Sequence, residues 1–339
     1  MKLSDIRILI QEEMQAAFPA YEQRLFPFYA MQEYHLGWRN SAFQLEYSDP
    51  GKLLRPYLTM LACQAAGSPA QNALPLAAGI QLIHDFSLIH DDIEDNSDMR
   101  RGRTTLWKHW GLAQGINAGD GMLLIAHLAI QRLSKRGIPA ERILAILQRF
   151  DQIILTVCEG QYLDISYEGR LDVSEEDYLA MIKRKTAALI SACTGLGAML
   201  GGASPELEQT LFGFGENLGL SFQIEDDILG IWGDPEETGK PFAADLVQRK
   251  LSIPIVHVLR NTSTRAEFME LYQSPEMSEG SIKRMLALLE QAEARAYTAE
   301  LAGHYHGRTL AMLDAAETAD PEALERMREI THLLIGRRA

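Results

Sequence analysis

The sequence predicts an all-α fold. Apolar residues recur at three- and four-residue spacing in long runs, and strand-like alternation closed by hairpin turns is scarce. The breaks between the runs carry helix-start and helix-stop chemistry. Residues 76–92 place Leu76, Ile80, Ile83 and Leu88 near one helical face, and 123–133, 143–162, 178–200 and 207–231 behave in the same way. Ser134-Lys135-Arg136-Gly137-Ile138-Pro139 reads as a turn. Ser174-Glu175-Glu176-Asp177 reads as an N-cap followed by first-turn acids, which suit the positive end of the helix dipole. Ser204-Pro205-Glu206 is another start, with proline where its missing N–H costs least. Gly233-Asp234-Pro235 opens a loop reaching Asp245, and Pro275 and Pro321 mark further helix boundaries. No linker or repeat divides the chain, so one domain over residues 1–339 is expected.

At 47% hydrophobic and 23% charged, the chain has the composition of a globular protein with a sizeable core. Its formal net charge of -14 argues against a nucleic-acid partner. Phosphate ligands stay open, because a few local cations or a bound metal reverse the field inside a cleft. Cys63, Cys158 and Cys193 lie in apolar stretches without metal-ligand spacing and read as buried thiols. The start, Met1-Lys2-Leu3-Ser4-Asp5, becomes charged too soon for a secretory signal, and no run is apolar enough to cross a bilayer. A cytoplasmic location with no transmembrane segment is the expectation.

Two acidic clusters carry the chemistry. In His90-Asp91-Asp92-Ile93-Glu94-Asp95, Asp91 and Asp95 are four apart, so on a helix their carboxylates lie one above the other and repel. A hard divalent cation relieves that repulsion, and Mg²⁺ takes one or two carboxylates together with phosphate oxygens. Arg100 and Arg101 follow at once, and guanidinium groups bind phosphate in bidentate fashion. The second cluster, Glu225-Asp226-Asp227, again ends an apolar stretch, and acids on separate helices can face one bundle core. Taken singly, the first cluster also reads as a solvated helix end, and the second as a coincidence in a chain rich in acids.

With both clusters in place, the sequence resembles the trans-isoprenyl diphosphate synthases, the polyprenyl synthetase family, from about Gly51 to Pro254. The resemblance implies a single-domain helical bundle around a central substrate cavity. Asp91, Asp92 and Asp95 fit the family's first aspartate-rich motif, and Asp226 and Asp227 fit its second; these five are the implied ligands of Mg²⁺, three ions per active site. Gly51-Lys52-Leu53-Leu54-Arg55-Pro56 looks like the GKxxRP element, which makes Lys52 and Arg55 ligands of isopentenyl diphosphate. His84, seven residues before Asp91, and Arg101 are implied at the same substrate. Arg100, Lys185, Thr186, Gln223, Lys240 and Lys250 match the allylic-diphosphate positions, with Gln161 and Asp164 in a further family element. Alone, Lys52 and Arg55 read as surface charges and His84 as a core histidine; their order and spacing carry the weight.

One departure stands out. The family's second motif is DDxxD, and its third position here is Gly230. That puts a metal role for the third position in doubt, and Asp234 is one candidate replacement.

The reaction implied is ionisation of the allylic diphosphate, condensation, and proton loss to the departing pyrophosphate. The residues singled out as catalytic are Asp91, Asp92, Asp95, Arg100, Lys185 and Asp226. Water would trap the cation, which favours an apolar tunnel and a mobile loop over residues 233–245. The growing tail would descend along the helix carrying Asp91, at about 5.4 Å per turn. Phe86 and Ser87 lie near the first turn down, with Ile83 and Ile80 below. An aromatic there, with no insertion between Asp92 and Asp95, implies a short-to-medium product, geranylgeranyl diphosphate first and farnesyl diphosphate second. Phe86 as plain core packing is the alternative. A class I terpene cyclase would not need Lys52, Arg55 and His84, and a non-catalytic subunit would not need the intact first cluster. A homodimer is implied by the resemblance alone.

Overall fold

The computed structural model describes residues 3–48, 51–235, 242–261 and 263–335. Lys240 and the rest of residues 236–241 of the expected mobile loop lie outside the described residues. The all-α expectation holds. Among the described residues, the strands are one short hairpin, β1 (Met99–Arg100) and β2 (Arg103–Thr104).

The chain falls into two compact units, residues 1–149 with 196–204, and residues 150–195 with 205–339. In the first unit, helix α1 (Leu3–Gln15) is followed by α2 (Phe26–His35), α3 (Leu54–Ala65) and α4 (Leu74–Glu94). After the hairpin come α5 (Leu106–Trp110) and α6 (Leu112–Gln131). Helix α4 packs against α1, α3 and α6. The sequence periodicity predicts a one-sided helix here, but every residue from Leu74 to Ile83 is buried. The surrounding helices explain the difference: a helix enclosed by neighbours needs apolar or small residues on every face. Only its last turns emerge, which is where the acids sit.

The next helices are α7 (Ala140–Tyr167), α8 (Glu175–Ile182), α9 (Ala188–Gly201) and α10 (Pro205–Trp232). The remainder are α11 (Ala244–Val247), α12 (Ile253–Arg260), α13 (Arg265–Gln273), α14 (Glu279–Gln291), α15 (Ala294–Asp314) and α16 (Pro321–Ile335). In the second unit, α10 packs along α15. One apolar cluster joins Tyr178 and Met181 of α8 to Leu220 and Ile224 of α10 and Ile253 and Val256 of α12. Another joins Ile231, Ile255, Phe268 and Leu288.

The start signals read from the sequence are realised. The Ser174 side chain accepts the backbone N–H of Asp177 at 3.1 Å, and α10 begins at Pro205. Two expectations need correction. The run 178–200 is not one regular helix, because Lys183–Ala187 forms a π-helical turn between α8 and α9. Cys63 and Cys193 are buried, but Cys158 is exposed. It lies on the outward face of α7 with Leu155 and Tyr162, which are themselves exposed, so an apolar stretch did not mean burial there.

Candidate active site

In the first unit, the last turn of α4 and its C-cap carry four acids and no basic residue. Carboxylates at a helix C-terminus meet the negative end of the dipole, an arrangement that disfavours the helix by about 0.3–1 kcal/mol per charge. Asp91 is half-buried and Asp95, the C-cap, is exposed; its helical backbone preserves the one-turn relation expected from the sequence. Asp92 is buried, and its Oδ1 accepts the Nε–H of Arg100 at 2.7 Å. Oδ2 of Asp92, also buried, has no hydrogen-bond partner among the described residues. Burial pushes the Asp92 carboxyl up, against the pull of Arg100.

The hairpin delivers the guanidiniums. Its turn residues, Arg101 and Gly102, have φ of 50° and 73°. Two positive φ values are what a tight two-residue hairpin turn requires, and an arginine rarely adopts one. Arg101 is thereby held outward and exposed. The neighbouring Arg103 anchors the hairpin, donating to the carbonyls of Tyr34 at 2.8 Å and Arg39 at 2.7 Å, with its guanidinium over the Tyr34 ring. The arginine-rich run in the sequence was the available signal for this anchor.

Lys52 is exposed beside two left-handed residues, Gly51 and Leu53, at the start of α3. Arg55 and His84 come together, with Nη1 to Nε2 at 3.4 Å. An arginine has no acceptor, so the His84 Nε2 lone pair faces the guanidinium. Burial first, then Arg55, Arg101 and Arg100, push the His84 ring well below the ordinary histidine range, so it is neutral at neutral pH. Beneath lies a group that the sequence reading missed. Asp85 is buried, accepts from Gln81 at 2.9 Å, and stands 3.9 Å from His35 Nε2.

Burial and the charges of Arg100, Arg101 and Arg103 push His35 down to about 3. His35 and His84 therefore stay neutral in the fold and take up protons only on unfolding, at about pH 6.5. The unfolded chain binds more protons below that pH. Their contribution to stability is complete above about pH 6.5 and is lost as the pH falls toward the folded values. Asp85, raised by burial, works in the opposite sense, so the comparison of variants isolates His35. Denaturant unfolding between about pH 7 and about pH 5 is expected to show a loss of about 1.4 kcal/mol per pH unit for each such histidine. His35→Gln should make the slope shallower; an unchanged slope would rule out this origin.

In the second unit, the π-helical turn sets the site. A Cβ on Gly160 of α7 would lie 2.2 Å from the backbone nitrogen of Lys185 and 2.6 Å from its Cα. The glycine lets the widened turn press directly against α7, and such turns are frequent at functional sites. Lys185 Nζ donates to Asp164. Thr186 Oγ1 donates to Gln223 Oε1 at 2.8 Å, and Gln223 Nε2 donates to Asp227 Oδ1 at 3.1 Å. Asp227 Oδ2 accepts from the Tyr178 hydroxyl at 2.8 Å and from the Ile253 amide at 3.0 Å. Burial raises its carboxyl to about 7 against these three donors. Asp227 is thus the joint of α8, α10 and α12, whereas Asp226 beside it is half-buried. Tyr178 gave no signal in the sequence beyond its helical spacing. Lys250 is exposed after α11.

These donor sets suit a hard cation. They are carboxylate oxygens, with an orphaned oxygen on Asp92. Among the described residues, no three His, Cys, Asp or Glu side chains cluster closely enough to hold an ion by themselves. Mg²⁺ needs no such cage, since it binds one or two carboxylates and completes its shell with water and phosphate oxygens.

The pattern of the polyprenyl synthetase family matches residues 38–289. The chain is 38% identical over 275 residues to a geranylgeranyl diphosphate synthase of Mycobacterium tuberculosis, covering 80% of this chain and 77% of the relative. It is 32% identical over 311 residues to a (2E,6E)-farnesyl diphosphate synthase of Mycobacterium bovis, covering 90% and 85%. The crystal structure of a polyprenyl synthetase from Streptomyces coelicolor A3(2) is similar with a TM-score of 0.89 at 33% identity, over 98% of both chains. With its motifs in order and the helical fold in place, the chain belongs to the polyprenyl synthetase family and is a trans-prenyltransferase.

Proposed function

We propose that the chain condenses isopentenyl diphosphate with an allylic diphosphate in a Mg²⁺-dependent reaction. The observation that carries this reading is the end of α4, where Asp91 and Asp95 stand at the dipole's negative end beside Arg100, itself fixed on Asp92. Asp91, Asp92, Asp95, Asp226 and Asp227 would hold the metal, which when bound neutralises charge growing on the departing pyrophosphate. Arg100, Lys185, Thr186, Gln223, Lys240 and Lys250 bind the allylic diphosphate, and Lys185 and Thr186 are oriented for that work by Asp164 and Gln223. Lys52, Arg55 and Arg101 bind isopentenyl diphosphate, and neutral His84 orients Arg55. The allylic C–O bond breaks, the new C–C bond forms to isopentenyl, and the proton lost from isopentenyl passes to a pyrophosphate oxygen. The family pattern runs through both units, which supports one catalytic domain over the whole chain. Incubation with an allylic diphosphate, with and without isopentenyl diphosphate, tests the reading. Pyrophosphate release should require both substrates; full turnover of the allylic substrate alone would favour a cyclase.

Product length is proposed as geranylgeranyl, with farnesyl second. Ser87 lies one turn below Asp91, and the fully buried Ile83 and Ile80 follow. Phe86 is half-buried and packs edge-on against His90, ring centres 4.8 Å apart. Phe86→Ala is expected to lengthen the product by at least one isoprene unit, read by mass spectrometry; an unchanged spectrum would remove Phe86 from length control.

A homodimer is supported by helix α6. Leu112, Ile116, Leu124 and Leu128 recur along one face and are 54%, 44%, 65% and 39% exposed. Apolar residues exposed along one helix suit a covering partner. Leu124→Glu with Leu128→Glu is expected to halve the mass in solution, measured by light scattering; an unchanged mass would place the interface elsewhere. No helix among the described residues is long and apolar enough to cross a membrane, and a cytoplasmic location is proposed.

A further inference from the structure

Helices α4 and α6 approach each other through glycines. Gly115 and Gly119 are four apart on α6 and therefore share one face. A Cβ on Gly115 would lie 2.9 Å from Cδ1 of Ile93. One on Gly119 would lie 2.2 Å from Nε2 and 2.4 Å from Cδ2 of His90. The His90 imidazole thus occupies the volume from which a side chain at position 119 would grow. Its Nε2 lies 3.3 Å from the Ile116 carbonyl. A carbonyl only accepts, so Nε2 carries the proton and donates it. Oδ1 of Asp120 stands 3.8 Å from the same nitrogen. Three residues of α6 therefore seat one ring of α4. That ring in turn touches another. Phe86 is one turn before His90, and the two rings meet edge-on, 4.8 Å apart and inclined at 63°. Phe86 is half-buried, whereas Ile83 and Ile80 deeper in α4 are 1% and 0% exposed. A half-buried ring has room to turn, and an edge-on partner favours one setting by about twofold to tenfold.

We infer that His90, seated on Gly119, is a positioning residue that holds the Phe86 ring and thereby sets product length. A prenyl tail growing along α4 presses on the side chains below Asp91. A ring free to swing aside yields to it, and a braced ring stops it. Gly119 admits the brace, since any larger residue there would expel the imidazole. This role depends on Phe86 controlling length, as given under Proposed function.

The test compares product spectra, read by mass spectrometry with isopentenyl diphosphate in excess. The proteins are the parent chain, His90→Ala, His90→Gln, Phe86→Ala and the double variant His90→Ala/Phe86→Ala. His90→Ala should lengthen the main product by at least one isoprene unit. His90→Gln keeps a donor for the Ile116 carbonyl but has no ring, and it should lengthen the product as well. A side chain that merely tied α4 to α6 would be rescued by glutamine. The double variant should match Phe86→Ala alone, because His90 acts through that ring. Parental spectra from both His90 variants, beside a longer product from Phe86→Ala, would overturn the inference and leave the length reading standing. A parental spectrum from Phe86→Ala would instead remove the length reading itself. A double variant that elongates further than Phe86→Ala would also overturn the positioning role, since His90 would then act by another route. The seat is checked by Tm in the absence of substrates. Gly119→Ala should lower it, and His90→Ala in the same chain should restore it; a loss that His90→Ala does not relieve would contradict the contact.

Discussion

Replacing Asp91 with alanine is expected to lower kcat by about a hundredfold to a thousandfold, the range seen when preorganised charge stabilisation is removed. The reason lies in the α4 terminus. Four acids are gathered where the helix dipole disfavours them, and a bound cation relieves that repulsion. The same substitution should leave the ligand-free protein slightly more stable, because one repulsive charge is gone. This opposition, activity lost while stability holds or rises, separates a ligand from a structural acid. Asp226→Ala is expected to behave likewise in the second unit. Asp227→Ala should not: it leaves the Tyr178 hydroxyl, the Ile253 amide and Gln223 without their acceptor. Steady-state rates with both substrates, set beside denaturant unfolding of each variant, check the pattern. An Asp91→Ala protein with parental kcat would remove the first cluster from the chemistry.

The second large effect is expected at Gly160, which touches no substrate in this account. A methyl group there would stand 2.2 Å from the Lys185 nitrogen, against main chain that cannot rotate away. Overpacking of this kind costs about 1–3 kcal/mol. The strain falls on the π-helical turn that aims Lys185 and Thr186. Gly160→Ala should therefore raise KM for the allylic diphosphate more than KM for isopentenyl diphosphate. A merely destabilised fold would shift both alike. Equal changes in the two KM values, or none in either, would contradict the coupling between this glycine and the allylic site.

Much of this arrangement was legible in the sequence, and the reasons for the gaps are physical. Helical spacing, the Ser174 cap and the proline-marked starts are local signals, so the all-α class and most helix positions followed from them. Asp91 and Asp95 were legible as a pair because four residues on a helix make neighbours. The π-helical turn was hidden, since Lys183 to Ala187 has the same spacing as the helices around it. The hairpin was equally hidden, because Arg101 takes a backbone conformation that sequence would assign to glycine. Asp85 with His35, Tyr178 with Asp227, and His90 with Gly119 are pairings of distant residues, and no period in the sequence records them. The different tasks of Asp226 and Asp227 also needed burial to tell them apart.

The most direct test of the central claim is product formation by the purified chain given an allylic diphosphate and isopentenyl diphosphate, with Mg²⁺ or with excess chelator. Elongated prenyl diphosphate together with released pyrophosphate should form with Mg²⁺ and stop when it is removed. Elongation that continues unchanged in chelator would contradict the account, as would a chain that binds both substrates with Mg²⁺ present and yields no longer product.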